Sequence, residues 1–149
     1  MFRFVFFVAL VFCVGCFSKG HPKMEDGVLV DSVSKKPITM TFKAKFPNGN
    51  LHQIEPYVDG RLHGTRSIYS SNGNLDKETE FVKGVKNGIE RHYNPDGTLY
   101  WEVTWTDGEE TGIQKWYNEY GDVESESNFL EGEKHGVETH YKENGKVDY

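Results

Sequence analysis

The sequence predicts an all-β fold: an extended, twisted antiparallel β-meander built from 24-residue hairpin repeats. Three observations predict it. Glycines recur at Gly60, Gly84, Gly108 and Gly132, and again at Gly64, Gly88, Gly112 and Gly136, in one 24-residue step. Tyr69, Tyr93, Tyr117 and Tyr141 keep that step, as do Gly73, Gly97, Gly121 and Gly145. Between these markers, apolar and polar residues alternate with period two, the pattern of a half-buried strand. A fixed period of about 20–50 residues marks a repeat architecture.

The chain opens on a segment with the form of a signal peptide, residues 1–15. Arg3 gives a short positive start, and Phe4 to Val14 is an apolar run. At about 1.5 Å per residue that run is too short to span a bilayer. Val14-Gly15-Cys16 resembles a bacterial lipobox, in which a small residue precedes a cysteine that becomes acylated. Cys13 departs from that pattern, standing where leucine is usual. Cys16 is then the lipidated first residue of the mature protein. The chain is expected at the cell envelope, on the periplasmic or surface side of a membrane. Ordinary cleavage after Gly15, giving a secreted protein, is the alternative. Both cysteines, Cys13 and Cys16, lie in this region, so residues 17–149 cannot form a disulfide among themselves.

Residues 16–27 are polar, with Gly20 and Pro22, and read as a tether. Val28-Leu29-Val30 is a first strand, and residues 28–56 form an N-terminal cap with a degenerate first repeat. Pro47-Asn48-Gly49 keeps the hairpin loop there, but the aromatic has slipped by one, to Phe46. Terminal repeats are commonly atypical because they cap the stack. Residues 57–149 hold four repeats, the last incomplete.

One unit, Phe81 to Trp105, shows how a repeat is made. Pro95-Asp96-Gly97 suits a three-residue hairpin loop: Pro presets φ, Asp tolerates the next position and Gly accepts the left-handed one. That loop is expected to set Tyr93 opposite Leu99, Arg91 opposite Trp101 and Ile89 opposite Val103. Residues 83–87 read as a five-residue connection placing Phe81 opposite Ile89. On this register Ile89, Tyr93, Leu99, Val103 and Trp105 share one face, and Glu90, His92, Tyr100, Glu102 and Thr104 share the other. The connections are too short for a crossover, so neighbouring strands pair antiparallel.

The pattern of Gly84, Gly88, Tyr93, Gly97 and Leu99 resembles the MORN-repeat variant of bacterial proteins. The resemblance covers Pro37 to Tyr149 and implies an extended single sheet with no active site. Some relatives of this type are labelled antitoxin-like, which implies, as an alternative function, a protein that neutralises a partner toxin by direct binding.

Charge and composition narrow the function further. The formal charge is −6. Without Arg3 the count is 16 basic and 23 acidic residues, or −7. That argues against nucleic acid, which needs a basic footprint, and against anionic lipid headgroups on the folded surface. His63 and His135 share one repeat position and His92 and His140 another, 72 and 48 residues apart. Such spacing sets them several strands from each other, too far for a metal site. Asp76, Glu78 and Glu80, and Asp122, Glu124 and Glu126, alternate along strands and read as a solvated face. No catalytic grouping, cofactor motif or small-molecule site is evident, so the chain is expected not to be an enzyme.

The large rings are the remaining signal. Tyr93, Trp101, Trp105, Tyr117, Phe129 and Tyr141 form the candidate partner-binding face, with Trp116 beside them. One sheet layer has nothing built in to cover its apolar side. The rings can pack on one another, the N-terminal segment can fold over them, or a protein partner can cover them. The reading is a lipid-anchored, non-enzymatic repeat module that binds a protein or another envelope component.

Overall fold

The computed structural model describes residues 20–148; the leader and Cys16 lie outside them. Within these residues the chain is strand and turn, with no helix. β1 (Pro22–Glu25) and β2 (Val28–Asp31) make a small hairpin. Then follow β3 (Met40–Lys45), β4 (Leu51–Val58), β5 (Arg61–Leu62), β6 (Gly64–Tyr69) and β7 (Leu75–Val82). β8 (Val85–Tyr93), β9 (Leu99–Thr106), β10 (Glu109–Tyr117), β11 (Val123–Leu130), β12 (Glu133–Tyr141) and β13 (Val147–Asp148) complete the chain. An 11-stranded open sheet runs β3-β4-β6-β7-β8-β9-β10-β11-β12-β13, with β5 also on β4. Every pairing is antiparallel, so the expected β-meander is what forms.

The three-residue loops close as their sequences predict. Gly97 N donates to Asn94 O at 2.8 Å, and Asn94 N donates to Thr98 O at 2.8 Å. The same pair of bonds recurs at residues 46–50, 70–74, 118–122 and 142–146. Register beyond the loop departs from expectation. Tyr93 does pair with Leu99, but His92 then pairs with Trp101, so Tyr100 has no partner. An unpaired residue on one strand is a β-bulge, and it exchanges the faces of everything beyond it. Arg91 therefore opposes Glu102 rather than Trp101, and Ile89 opposes Thr104 rather than Val103. The same slip follows the loops at Lys45/Leu51, Tyr69/Leu75 and Tyr117/Val123.

The second connection also differs from the five-residue loop expected at residues 83–87. Val82 pairs with Val85, leaving a two-residue turn, Lys83-Gly84. Both residues have positive φ, 52° and 88°. That is the primed hairpin turn, whose twist matches the strands it joins. Phe81 consequently opposes Lys86, and the slack is taken up as a bulge around Gly88. The turn glycines also stitch one repeat to the next. Gly60, Gly84, Gly108 and Gly132 each donate to a carbonyl of the preceding unit, those of Ile38, Leu62, Lys86 and Glu110, at 2.7–3.0 Å. The 24-residue glycine step is thus a stacking rule as well as a turn rule.

The N-terminal segment is more ordered than a tether. An Asp26-Gly27 turn closes β1 on β2, starting at Pro22. Ile38 N donates to Leu29 O at 3.0 Å, and Leu29 N to Gly60 O at 2.7 Å. Leu29, Val30 and Ile38 are buried there, forming a small core at one end of the sheet. The hairpin caps that end against the Gly60 turn.

The corrected register gives one face a repeating polar ladder. Across the strands lie Ser67, Glu78, Arg91, Glu102, Lys115, Glu126 and Thr139, each paired with the next. Acid and base alternate at its centre, which favours the register. Each tyrosine of the 24-residue set then donates to the acid 15 residues before it. Tyr93 reaches Glu78 at 3.1 Å, Tyr117 reaches Glu102 at 2.6 Å and Tyr141 reaches Glu126 at 2.9 Å. Arg91 Nε donates to Glu102 at 3.3 Å, and Lys115 lies 3.5 Å from Glu126. Glu78 and Glu126 are therefore bonded members of this ladder rather than only a solvated face. Burial and the adjacent Glu102 carboxylate push the Tyr117 phenol well above its usual range.

Tyr69 is the exception, because Ile54 occupies the acid's place. Tyr117→Phe is expected to cost about 1.5 kcal/mol, the scale of a hydrogen bond to a charged group. Tyr69→Phe is expected to cost close to nothing. Urea denaturation of the two variants checks the contrast.

Candidate tryptophan face

The opposite face carries all three tryptophans of the chain. Cross-strand pairing runs Lys77, His92, Trp101, Trp116, Ser125 and His140 in one row. The next row on this face holds Thr79, Glu90 and Val103, which are 3%, 3% and 1% exposed. Beyond it, at the turn-glycine end, stand Phe81, Trp105 and Phe129, paired with Lys86, Glu110 and Lys134. Side chains on a strand alternate between faces, so residues two apart project together.

The sequence-predicted binding face is therefore divided. Trp101, Trp105 and Phe129 project from this side. Tyr93, Tyr117 and Tyr141 project from the other, where their hydroxyls hold the ladder acids. The bulge after each three-residue loop causes the division. Trp116 is 43% exposed and joins the tryptophan side, next to Trp101 at 6.1 Å between ring centroids.

Glu90 is the electrostatic centre. His92 Nε2 lies 2.8 Å from its Oε1, and Lys77 Nζ lies 2.5 Å from the same atom. Lys86 Nζ is 2.6 Å from Oε2, an ion pair within β8. A carboxylate can only accept, so His92 carries its proton on Nε2. Nδ1 is left facing the Tyr100 hydroxyl at 3.4 Å. Burial pushes the Glu90 carboxyl upward, but His92, Lys77 and Lys86 outweigh it and hold it at about 2.

Rings enclose this cluster. The Lys86 ammonium sits 3.8 Å above the Trp105 ring, a cation–π contact. His92 meets Trp101 edge-on at 4.7 Å. The indole N–H groups of Trp101 and Trp105 are buried without an acceptor. The rings thus cover the small residues between them and only partly cover one another. The N-terminal hairpin packs at the Gly60 turn, leaving this face to the repeats.

The cluster follows the 24-residue period only in part. Positions equivalent to Glu90 hold Arg66, Gln114 and Glu138, and those equivalent to His92 hold Ile68, Trp116 and His140. Residues kept in every unit build the sheet. The last unit keeps a smaller version of the cluster, with Lys134 and His140 lying 2.7 and 3.7 Å from Glu138, and Lys77 is the member that the Glu90 unit alone has. Glu90, Lys77 and Lys86 escaped the sequence reading because their convergence depends on the β7–β8 register and its bulge around Gly88. Among the described residues no group of histidines, cysteines and acids is arranged to hold a metal.

The MORN repeat variant family matches residues 39–59, 62–83 and 134–149, less than half of the chain. Comparison with curated proteins gives no match. Repeats of this type are non-catalytic and generally mediate protein or membrane interactions. Residues 84–133, between the matched stretches, repeat the same turns, bulges and tyrosine–acid bonds. Together the matched and unmatched units support a MORN-repeat protein.

Proposed function

We infer that the chain is a non-enzymatic repeat module, anchored to a membrane through Cys16, that binds a protein partner with its tryptophan face. One observation carries the reading: Trp101, Trp105 and Trp116 converge on one side of an open sheet. They surround Glu90, on which Lys77, Lys86 and His92 converge. Aromatic residues dominate binding energy where they concentrate, and a patch of exposed apolar surface marks an interaction site. The anchor rests on the Val14-Gly15-Cys16 sequence and on the single cysteine left to a mature chain. The partner is expected at the cell envelope. A toxin held inactive on this face is the narrower version, raised by the antitoxin-like label of similar repeats.

Capture from native membranes tests both parts. Wild-type protein is expected to retain a partner that Trp101→Ala and Trp105→Ala lose, with the melting transition preserved. Cys16→Ser is expected to leave the membrane fraction and to lose the mass of the lipid. Unchanged capture by the tryptophan variants removes the binding reading, and a Cys16→Ser protein that stays with the membrane removes the anchor. A captured toxin encoded beside this chain selects the narrower version.

A further inference from the structure

The ring row at the turn-glycine end has a spacing that selects a ligand conformation. Tyr57, Phe81, Trp105 and Phe129 stand on β4, β7, β9 and β11, every second strand in the sheet. Each lies two residues beyond Glu55, Thr79, Val103 and Ser127 on its own strand, so the rings form a straight row. All four are half-buried. Strands two apart are about 9.6 Å from each other. The row is therefore a comb of four rings with teeth about 9.6 Å apart.

A polyproline II helix advances about 9.3 Å per three-residue turn and shows the same edge every third residue. Over three intervals its drift against the comb is about 0.9 Å. An α-helix repeats every seven residues at about 10.5 Å, so it drifts about 2.7 Å over the same distance. An extended strand turns every third residue to its opposite side. Of the regular conformations, polyproline II alone meets all four rings with one edge. Proline-rich segments of that form dock in aromatic grooves elsewhere for the same reason: the rings receive a helix that is already ordered.

Charge selects among such segments. Leu51 to Asp148 carries 10 basic and 20 acidic residues. The rim beside the ring row holds Asp59, Asp107, Glu109, Glu131 and Glu133, with Arg61 and Lys83 among them, all exposed. Lys86 and Lys134 face the rings from within the row, and Lys86 is already engaged by Glu90. A ligand lying along the comb meets mainly carboxylates on its flank, so cations suit it. The geometry points to a basic, proline-rich segment of a protein partner, in polyproline II form, lying across the strands on Tyr57, Phe81, Trp105 and Phe129. This rests on the partner-binding reading of the same face and names the occupant.

The test uses the full chain and synthetic peptides, read by tryptophan fluorescence and calorimetry. The probes are two, three and four Pro-Pro-Arg triplets. The controls are four Pro-Pro-Glu triplets, and four arginines spaced by Gly-Ser. Each added Pro-Pro-Arg triplet is expected to tighten binding roughly fivefold to tenfold, as each engages one more ring. Both controls are expected to bind at least tenfold more weakly than four Pro-Pro-Arg triplets. Phe81→Ala and Trp105→Ala are each expected to weaken the longest probe about tenfold. If a variant does not fold, the length series on the wild-type chain decides. Equal binding of the Gly-Ser control, tighter binding of the acidic peptide, or no gain with length overturns the proposal. Loss of the native partner in Trp105→Ala, together with failure of every proline peptide, overturns this inference and leaves the binding face standing. Capture unaffected by Trp105→Ala removes both.

Discussion

Gly60→Ala is expected to destabilise the protein by about 3 kcal/mol and to release the N-terminal hairpin. Gly60 has φ of +74°, a conformation that costs an L-residue about 1–2 kcal/mol. The remainder comes from packing. A Cβ there would lie 2.6 Å from the Leu29 carbonyl oxygen and 2.4 Å from Val28 Cγ1. The backbone of β2 must move to admit it, and that breaks the bonds from Leu29 N to Gly60 O and from Gly60 N to Ile38 O. Gly132→Ala is the control. Gly132 has the same role one end away, with φ of +78° and nothing within 4 Å of an added Cβ. It is expected to cost only the conformational part, about 1 kcal/mol. Urea denaturation reads the difference, and amide exchange at Leu29 and Ile38 reports whether the hairpin has come away.

Glu90→Gln is the second large effect, and its signature is pH. The Glu90 carboxyl sits at about 2 in the folded protein, against its ordinary 4.5. A depressed folded value means the unfolded chain binds the proton more readily. The stabilisation is therefore complete above the ordinary value and is lost as pH falls from about 5 towards 2. Its size is on the order of 3 kcal/mol, from about 1.4 kcal/mol for each unit of difference. Gln at this position keeps the volume but leaves Lys77 and Lys86 without their anion. Both lysines are half-exposed and can turn to water, so the cost falls at or below the low end of the roughly 3–5 kcal/mol for breaking a buried ion pair. At neutral pH the variant is expected to be less stable by about that amount. Between pH 5 and 2 the wild type is expected to lose stability faster than the variant, so the two curves converge. Parallel curves across that range would mean that Glu90 carries no special share of the acid sensitivity.

The framework was legible because it repeats. Gly60 and its three equivalents announce a turn, and Asn94 to Thr98 announces a three-residue loop; both form, though the first turn is shorter than expected. Antiparallel order follows from the shortness of those connections. The faces were not legible, and the reason is one unpaired residue. Tyr100 interrupts strict alternation in β9, so Trp101 and Trp105 cross to the side opposite Tyr93. Nothing in the composition of Tyr100 signals that bulge. The ladder did leave a trace, since Glu78, Glu102 and Glu126 keep the 24-residue step beside the tyrosines. Reading those two sets together gives a constant tyrosine–acid offset, and Ile54 breaks it where Tyr69 has no acid partner. Glu90 was invisible for another reason. Its partners come from β7 and from both ends of β8, and only the bulge at Gly88 brings Lys86 close. Asp26-Gly27 is a hairpin signal, but the polar residues before it lack the apolar alternation that marks a strand partner for Val28-Leu29-Val30.

The two faces imply a division of labour that one set of variants can examine. Tyr117→Phe weakens the ladder side, and Trp105→Ala alters the ring side. Both proteins are compared at a temperature where each is folded, measuring retention of the proposed protein partner on immobilised chain. Tyr117→Phe is expected to hold that partner as wild type does, and Trp105→Ala is expected to lose it. Retention by Trp105→Ala, or loss by a folded Tyr117→Phe, would contradict a sheet that stabilises itself with one side and recognises its partner with the other.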